Sequence, residues 1–191
     1  MSKISAVGML IAFLLVACSV GSALGTEETT VIRLLPENTS DEIGGTIFSF
    51  RAPFYDKLDL RTARGNISNS SYVSVTMQYY NYSNLMIGYV EVTYYPNGRP
   101  SNDTKERVLL DSFREKVRGD ILGVNETSRV GRYPAKVWNI YNPANERPGA
   151  LALVYVDNNR TVNMVGSWDA FGAFQPTLKV GLREETSAVI D

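Results

Sequence analysis

The sequence predicts an α+β fold, an antiparallel β-sheet flanked by helices, and three observations carry that expectation. The stretch from Asp103 to Ile121 is apolar on one side only, at the spacing of a long helix. Segments on either side of it alternate apolar and polar residues with the two-residue period of strands. A second stretch of helical period, from Asp169 to Leu182, follows the last of them. Strands, long helix, strands, terminal helix is the order of an antiparallel sheet carrying helices, not of alternating βα units.

In chain order, Lys3 precedes an apolar run from Ile4 to Ala17 that only Ser5 interrupts. This is the pattern of a secretion signal, and it is short for a membrane span. Two processing sites compete. Leu15-Val16-Ala17-Cys18 resembles a lipobox, after which residues 1–18 form the signal and Cys18 becomes a lipidated N-terminus. Ala23-Leu24-Gly25 suits ordinary cleavage, which would release a secreted protein starting at Thr26. Residues 19–45 read as a polar tether, residues 46–183 as one globular domain and residues 184–191 as a tail. Cys18 is the only cysteine, so the domain must be held by its core rather than by disulfides.

Thr46 to Ala52 alternates and reads as the first strand, stopped by Pro53; Tyr55 to Arg61 holds a short second one. Gly65 to Ser71 is a loop. Tyr72 to Tyr80 places Val73, Val75, Met77 and Tyr79 on one face. Leu85 to Tyr95 places Val90, Val92 and Tyr94 likewise, and the Asn81–Asn84 turn makes the two a hairpin. Asp103 is the expected N-cap of the helix, with Glu106 as its capping-box partner. Leu109, Leu110, Phe113, Val117 and Ile121 form the buried stripe, while Lys105, Glu106, Arg114, Glu115 and Arg118 lie off it and Lys116 points outward. Gly119 or Gly123 ends the helix. Tyr133 to Tyr141 is a strand, and Ala150–Val156 with Arg160–Ser167 form a hairpin. Asp169 to Leu182 is the second helix, buried through Phe171, Phe174 and Leu178. Phe113 is expected to face Val75, Val92 and Val137, with Trp138 on the opposite side of the sheet.

Composition excludes several chemistries. Net charge is −1, from 19 basic and 20 acidic residues, and no basic cluster marks a nucleic-acid surface. The chain has no histidine, which removes Ser-His-Asp and Cys-His catalysis and imidazole-bound metals. No phosphate-binding glycine loop or calcium loop is present, so no metal or cofactor is expected. Glu91, Asp111, Asp157 and Asp169 are the carboxylates inside ordered-looking segments, and their spacing does not pair them for hydrolysis.

Asparagine gives the stronger signal. Seven of the fourteen begin an Asn-x-Ser/Thr sequon: Asn38, Asn66, Asn69, Asn81, Asn102, Asn125 and Asn159. About two would arise by chance at this Ser/Thr content. All fall in expected linkers, loops or turns, where these residue types gather for backbone reasons too. A short signal with dense sequons points to an archaeal cell surface, with a eukaryotic secretory route as the alternative. Tyrosines crowd the central hairpin, and Tyr80, Tyr82, Tyr89 and Tyr95 are candidate ligand-binding aromatics if they form an exposed shelf.

The element order, the opening Phe48-Ser49-Phe50-Arg51-Ala52-Pro53, the Tyr133-Pro134-Ala135-Lys136-Val137-Trp138 strand and the closing Phe174-Gln175-Pro176-Thr177-Leu178-Lys179 resemble the PsbP-like fold. The resemblance spans residues 46–182. It implies an α/β/α sandwich and a non-enzymatic role in binding or assembly at a membrane surface. The expected function is therefore a cell-surface domain on the outer face of the membrane, lipid-anchored through Cys18 and N-glycosylated. It would bind a protein or envelope-glycan partner or support the envelope. The alternatives are a secreted ligand-binding module, carbohydrate included, that uses the tyrosines, and a carboxylate-based hydrolase.

Overall fold

A computed structural model describes residues 29–34, 43–53, 55–125, 129–142 and 147–182. The described residues form a mostly antiparallel β structure with two short helices. β1 (Thr29–Leu34), β2 (Thr46–Pro53) and β11 (Lys179–Leu182) form a three-stranded sheet in the order β1-β2-β11. β3 (Lys57–Ile67), β4 (Ser70–Tyr80), β5 (Met86–Tyr94), β6 (Asp120–Asn125), β7 (Arg129–Val130), β8 (Tyr133–Asn142), β9 (Arg147–Tyr155) and β10 (Arg160–Ser167) form an open sheet. Its order is β3-β4-β5-β10-β9-β8-β6, with β7 paired to β8. The hairpins β4–β5 and β9–β10 lie side by side at its centre, joined through β5 and β10.

Strict alternation along these central strands makes two different faces. One carries Val75, Met77, Tyr79, Val90, Val92, Val137, Ala152, Val154, Val162 and Met164. Phe48 and Phe50 of β2 and Phe171 and Phe174 of α2 (Trp168–Phe174) pack against it. The other face carries Trp138, Ile140, Leu151, Leu153 and Val165, which meet Leu109 and Phe113 of the central helix. Val137 and Trp138 thus point to opposite sides and both are buried, as a sheet covered on both faces requires.

Several expectations need correction. Phe113 does not face Val75, Val92 and Val137, which belong to the other core. Either face of the sheet can bury an apolar stripe, and periodicity does not say which one receives the helix. The helix is also shorter than expected: α1 spans Asn102–Ser112, and Phe113–Val117 continues as one π-helical turn. Arg118, at φ 55°, ends it in the left-handed region, and Ile121 belongs to β6. Ser101, not Asp103, is the N-cap; its hydroxyl accepts from the Thr104 amide. Glu106 is free of the cap and instead pairs with Lys136 on β8 and accepts from Tyr155 Oη on β9 at 3.0 Å.

The terminal helix stops at Phe174 because Pro176 follows, and Lys179–Leu182 pairs with β2 instead. Thr29–Leu34, within the expected tether, is a strand paired to Leu34↔Phe48 through Thr29↔Pro53; its Thr-Thr-Val-Ile run suits extended backbone. β3 runs to Ile67, so Gly65–Ser71 is a tight strand–turn–strand rather than a loop. The side chains of Lys116 and Val117 and the tail at residues 184–191 lie outside the described residues.

Gly119 explains how the helix end fits. A Cβ there would lie 2.4 Å from the Phe113 ring and 2.8 Å from the Tyr141 carbonyl oxygen. Phe113→Ala should therefore cost about 3–5 kcal/mol, and Gly119→Ala about 1–3 kcal/mol through overpacking against the same ring. Urea denaturation of both variants checks this; a Gly119→Ala protein as stable as wild type would show that α1 does not close on β8 in this way.

Candidate functional site

The face of the open sheet under α1 is polar at one end and apolar at the other, and register explains the division. Ser74, Thr93 and Thr161 lie opposite one another across β4, β5 and β10, and Thr76, Glu91 and Asn163 form the next row. Gln78, Tyr89 and Val165 form the third. On β9 and β8 the side chains in the second and third rows are Leu153 and Lys136, then Leu151 and Trp138. α1 settles on the apolar end through Leu109 and Phe113. Six strand spacings make this sheet about 29 Å wide, whereas a helix with its side chains is about 10–12 Å across. One helix therefore cannot cover the face, and beside it the polar rows floor a cavity of about 330 Å³.

Thr76, Gln78, Tyr89, Glu91, Thr93 and Asn163 make the floor of the cavity, and Lys105, Val108, Leu109 and Ser112 of α1 its wall. Ile67, Tyr72 and Met86 complete the lining. Lys105 corrects the sequence reading. It is not a solvent-facing residue but is 4% exposed, one turn before Leu109 on the buried side of the helix. Its ammonium stands 5.6 Å over the Tyr95 ring, and among the described residues it makes no hydrogen bond or ion pair. Burial holds its pKa below the usual lysine value of 10.5, with Glu91 and Tyr72 acting in the opposite direction.

Glu91 is the facing charge. Asn163 Nδ2 donates to Glu91 Oε2 at 2.7 Å, which fixes the amide with its oxygen turned away from that bond. Asn163 Oδ1 and Thr93 Oγ1, both buried, have no hydrogen-bond partner among the described residues. The same is true of Ser74 Oγ, Thr161 Oγ1 and Tyr95 Oη beside them. Such groups cost about 1–3 kcal/mol each when left unsatisfied. Burial pushes the Tyr95 hydroxyl up to about 12, against a smaller opposing pull from the nearby Thr161 and Thr93 hydroxyls, with which it forms no well-aligned bond. Burial likewise raises Tyr89, with Glu91 adding to the effect. A small site with one cation and one anion in its lining can hold a polar ligand.

The structure does not gather the expected aromatics into an exposed shelf. Tyr82 stands alone at 87% exposure, Tyr80 is half-buried and donates to Gln78 Oε1, and Tyr95 is fully buried; Tyr89 alone of the four lines the cavity. Alternation sends Tyr80 and Tyr89 toward the α1 side, but the turn carries Tyr82 beyond it. The carboxylates are not brought together. Asp111 pairs with Arg114 on α1, Asp157 with Arg160 at the β9–β10 turn, and Asp169 lies in the first turn of α2. Among the sequons, Asn66, Asn69 and Asn102 are exposed. Asn81 is half-buried, its Oδ1 accepting from the Ser83 and Leu85 amides. Asn159 Nδ2, the atom a glycan would join, donates to the Tyr95 carbonyl at 2.7 Å. Cys18, Asn38 and the Asn125 side chain lie outside the described residues.

Sequence reasoning missed Lys105 and Asn163. The signal for Lys105 is its spacing of four from Leu109 and eight from Phe113, which puts it on their line. For Asn163 the signal is a lone amide inside the apolar run Val162 to Val165. Comparison with protein-family models, with curated proteins and with solved structures finds no match to this chain.

Lys105 gives a pH test. Below its depressed pKa the ammonium is charged in both states and its burial cost is fully present. Between that pKa and 10.5 only the unfolded chain holds the proton, so stability rises with pH. Tyr79, Tyr89, Tyr95 and Tyr155 work the other way: their folded pKa values lie above 10.0, so stability falls once the unfolded chain ionises there. Wild-type stability should climb toward about pH 10 and then drop, the climb from one proton being at most about 1.4 kcal/mol per pH unit. Lys105→Met should remove the climb and leave the drop. Denaturation midpoints from pH 7 to 11 decide it; parallel profiles for the two proteins would mean that the ammonium carries no burial cost.

Proposed function

We propose that this chain is a non-enzymatic binding domain displayed on the outside of the cell, which holds a small polar ligand in the cavity beside α1. One observation carries the reading. The cavity is lined by a buried lysine, Lys105, whose ammonium makes no hydrogen bond or ion pair among the described residues, and by Glu91, whose second carboxylate oxygen is likewise without a hydrogen bond among them. Polar groups buried at such cost favour a site that something else completes. Glu91 is the one carboxylate among the lining residues. Carboxylate-based glycoside hydrolysis uses two, so the lining supports binding over that reaction.

Display rests on the N-terminal sequence. A signal ending in Leu15-Val16-Ala17-Cys18 supports lipidation of Cys18, and two acyl chains there would hold the domain stably at the membrane. N-glycans would sit at the exposed acceptors Asn66, Asn69 and Asn102. The PsbP-like relation belongs here too. A helix on each face of an antiparallel sheet supports it, while the sheet β1-β2-β11 beside α2 adds a layer component that a plain α/β/α sandwich lacks. A second reading, docking of a protein partner, is favoured by Leu122 and Val124, 62% and 58% exposed on the outer strand β6.

Two experiments test the proposal. Thermal unfolding of the domain against a panel of amino acids, sugars and organic acids should find compounds that raise the midpoint. A ligand at a hundred times its Kd adds about 2.7 kcal/mol. Val108→Trp, which fills the cavity from the helix side, should abolish the shift; a panel without effect would remove the ligand reading. Cys18→Ala should move the protein from the membrane fraction into the medium, whereas a native N-terminus at Thr26 would remove the anchor.

A further inference from the structure

Resting on the ligand-binding reading, we propose that the cavity takes a small zwitterion of the free α-amino acid class. Its carboxylate would sit at Lys105, its ammonium at Glu91, and its side chain toward Ile67, Met86 and Val108.

Charge carries the argument. Lys105 and Glu91 are the two charged residues in the lining, one on the helix wall and one on the sheet floor. No ion pair joins them, and among the described residues the Lys105 ammonium has no anionic partner. The buried Lys105 charge and the half-buried Glu91 charge therefore stand without an ion-pair partner each, which is expensive for the lysine in a low-dielectric site. A ligand with one charge answers only one of them. An inorganic anion at Lys105 would face the Glu91 carboxylate, a metal cation at Glu91 would face the ammonium, and a neutral sugar would leave both charges as they are. A zwitterion completes both and keeps the buried total at zero.

Hydrogen bonding gives the orientation. Lys105 brings donors only, and so selects the acceptor end of the ligand. On the floor, Glu91 accepts from Asn163 Nδ2 through Oε2, which holds the carboxylate in place. Glu91 has a second oxygen with no hydrogen bond among the described residues. A carboxylate oxygen available on β5 suits an N–H-rich group such as an ammonium. At about 330 Å³ the cavity holds roughly ten waters' worth of space. That is enough for an amino acid with a medium-sized side chain and lies at the small end of ligand sites.

Isothermal titration tests this. The twenty common amino acids are titrated singly, with 4-methylpentanoate as the carboxylate-only analogue of leucine, 3-methylbutylamine as its amine-only analogue, and glucose as a neutral polyol. At least one amino acid should bind, with apolar side chains of leucine size preferred. Each single-charge analogue should bind about tenfold or more weakly than leucine, and Lys105→Met and Glu91→Gln should each weaken leucine by at least about tenfold. Circular dichroism and melting of the variants separate loss of the site from loss of the fold. Binding of glucose or of one single-charge analogue in preference to every amino acid would overturn the zwitterion while leaving the ligand site standing. Absence of all binding, with Val108→Trp and wild type indistinguishable across the wider panel, would overturn both.

Discussion

Everything distinctive in this molecule follows from one mismatch: a single helix has to cover one face of a sheet seven strands wide. Leu109 and Phe113 decide where it lands, because they find Trp138, Ile140, Leu151, Leu153 and Val165 on the β8–β9–β10 side. Burying that cluster drives the docking, each large side chain contributing about 1.5–3 kcal/mol. The rows on β4 and β5 could not supply the same contact, since Ser74, Thr76, Gln78, Glu91 and Thr93 occupy them. The helix therefore sits to one side, and the polar rows become the floor of a cavity rather than part of a core.

Polar contacts hold α1 in that off-centre seat. Glu106 reaches down to Lys136 and Tyr155 on the far side of the helix from the cavity, and Lys136 also lies over the Trp138 ring at 5.6 Å. Arg99, just before the helix, stacks over Tyr155 at 4.8 Å and bonds to the Asp157 carbonyl. Ser101 caps the first turn, and the π-turn with Arg118 in the left-handed region brings Gly119 against Phe113. With its two ends and its outer side tied down, the helix has no easy path to roll over the cavity. Lys105 is then carried into the interior by position rather than by affinity, four residues before Leu109.

The opposite face is closed by segments distant in sequence. β1 and β2 come from the N-terminal side and β11 from the C-terminal side of the described chain, so the small sheet joins its two ends. Tyr133 fastens this layer to the large sheet: its hydroxyl donates to the Val180 carbonyl and accepts from the Val180 amide. Phe50 meets Phe174 edge-on at 5.5 Å, which docks α2 on β2. This second cover explains why strands such as β9 and β10 are buried on both faces and read as nearly continuous apolar runs.

Period and punctuation made much of the fold legible: the strands Arg160–Ser167 and Tyr72–Tyr80, the central helix, the shared face of Val75, Met77 and Tyr79, and the opposed directions of Val137 and Trp138 are local consequences of alternation. The missing histidines and the single cysteine also stand on sequence alone, since composition does not depend on packing. What needed the tertiary structure was anything set by partners far away. Lys179–Leu182 became a strand because β2 offered an edge, and Thr29–Leu34 because the other edge was open. Helical spacing placed Leu109 on a buried line but could not say that Lys105 would share it, because a lysine leaves that line whenever water is in reach. The cavity itself was invisible in sequence: it joins Lys105 of the helix to Glu91 and Asn163 of two strands that are adjacent in space and 72 residues apart in the chain, and only strand order and helix placement bring them together.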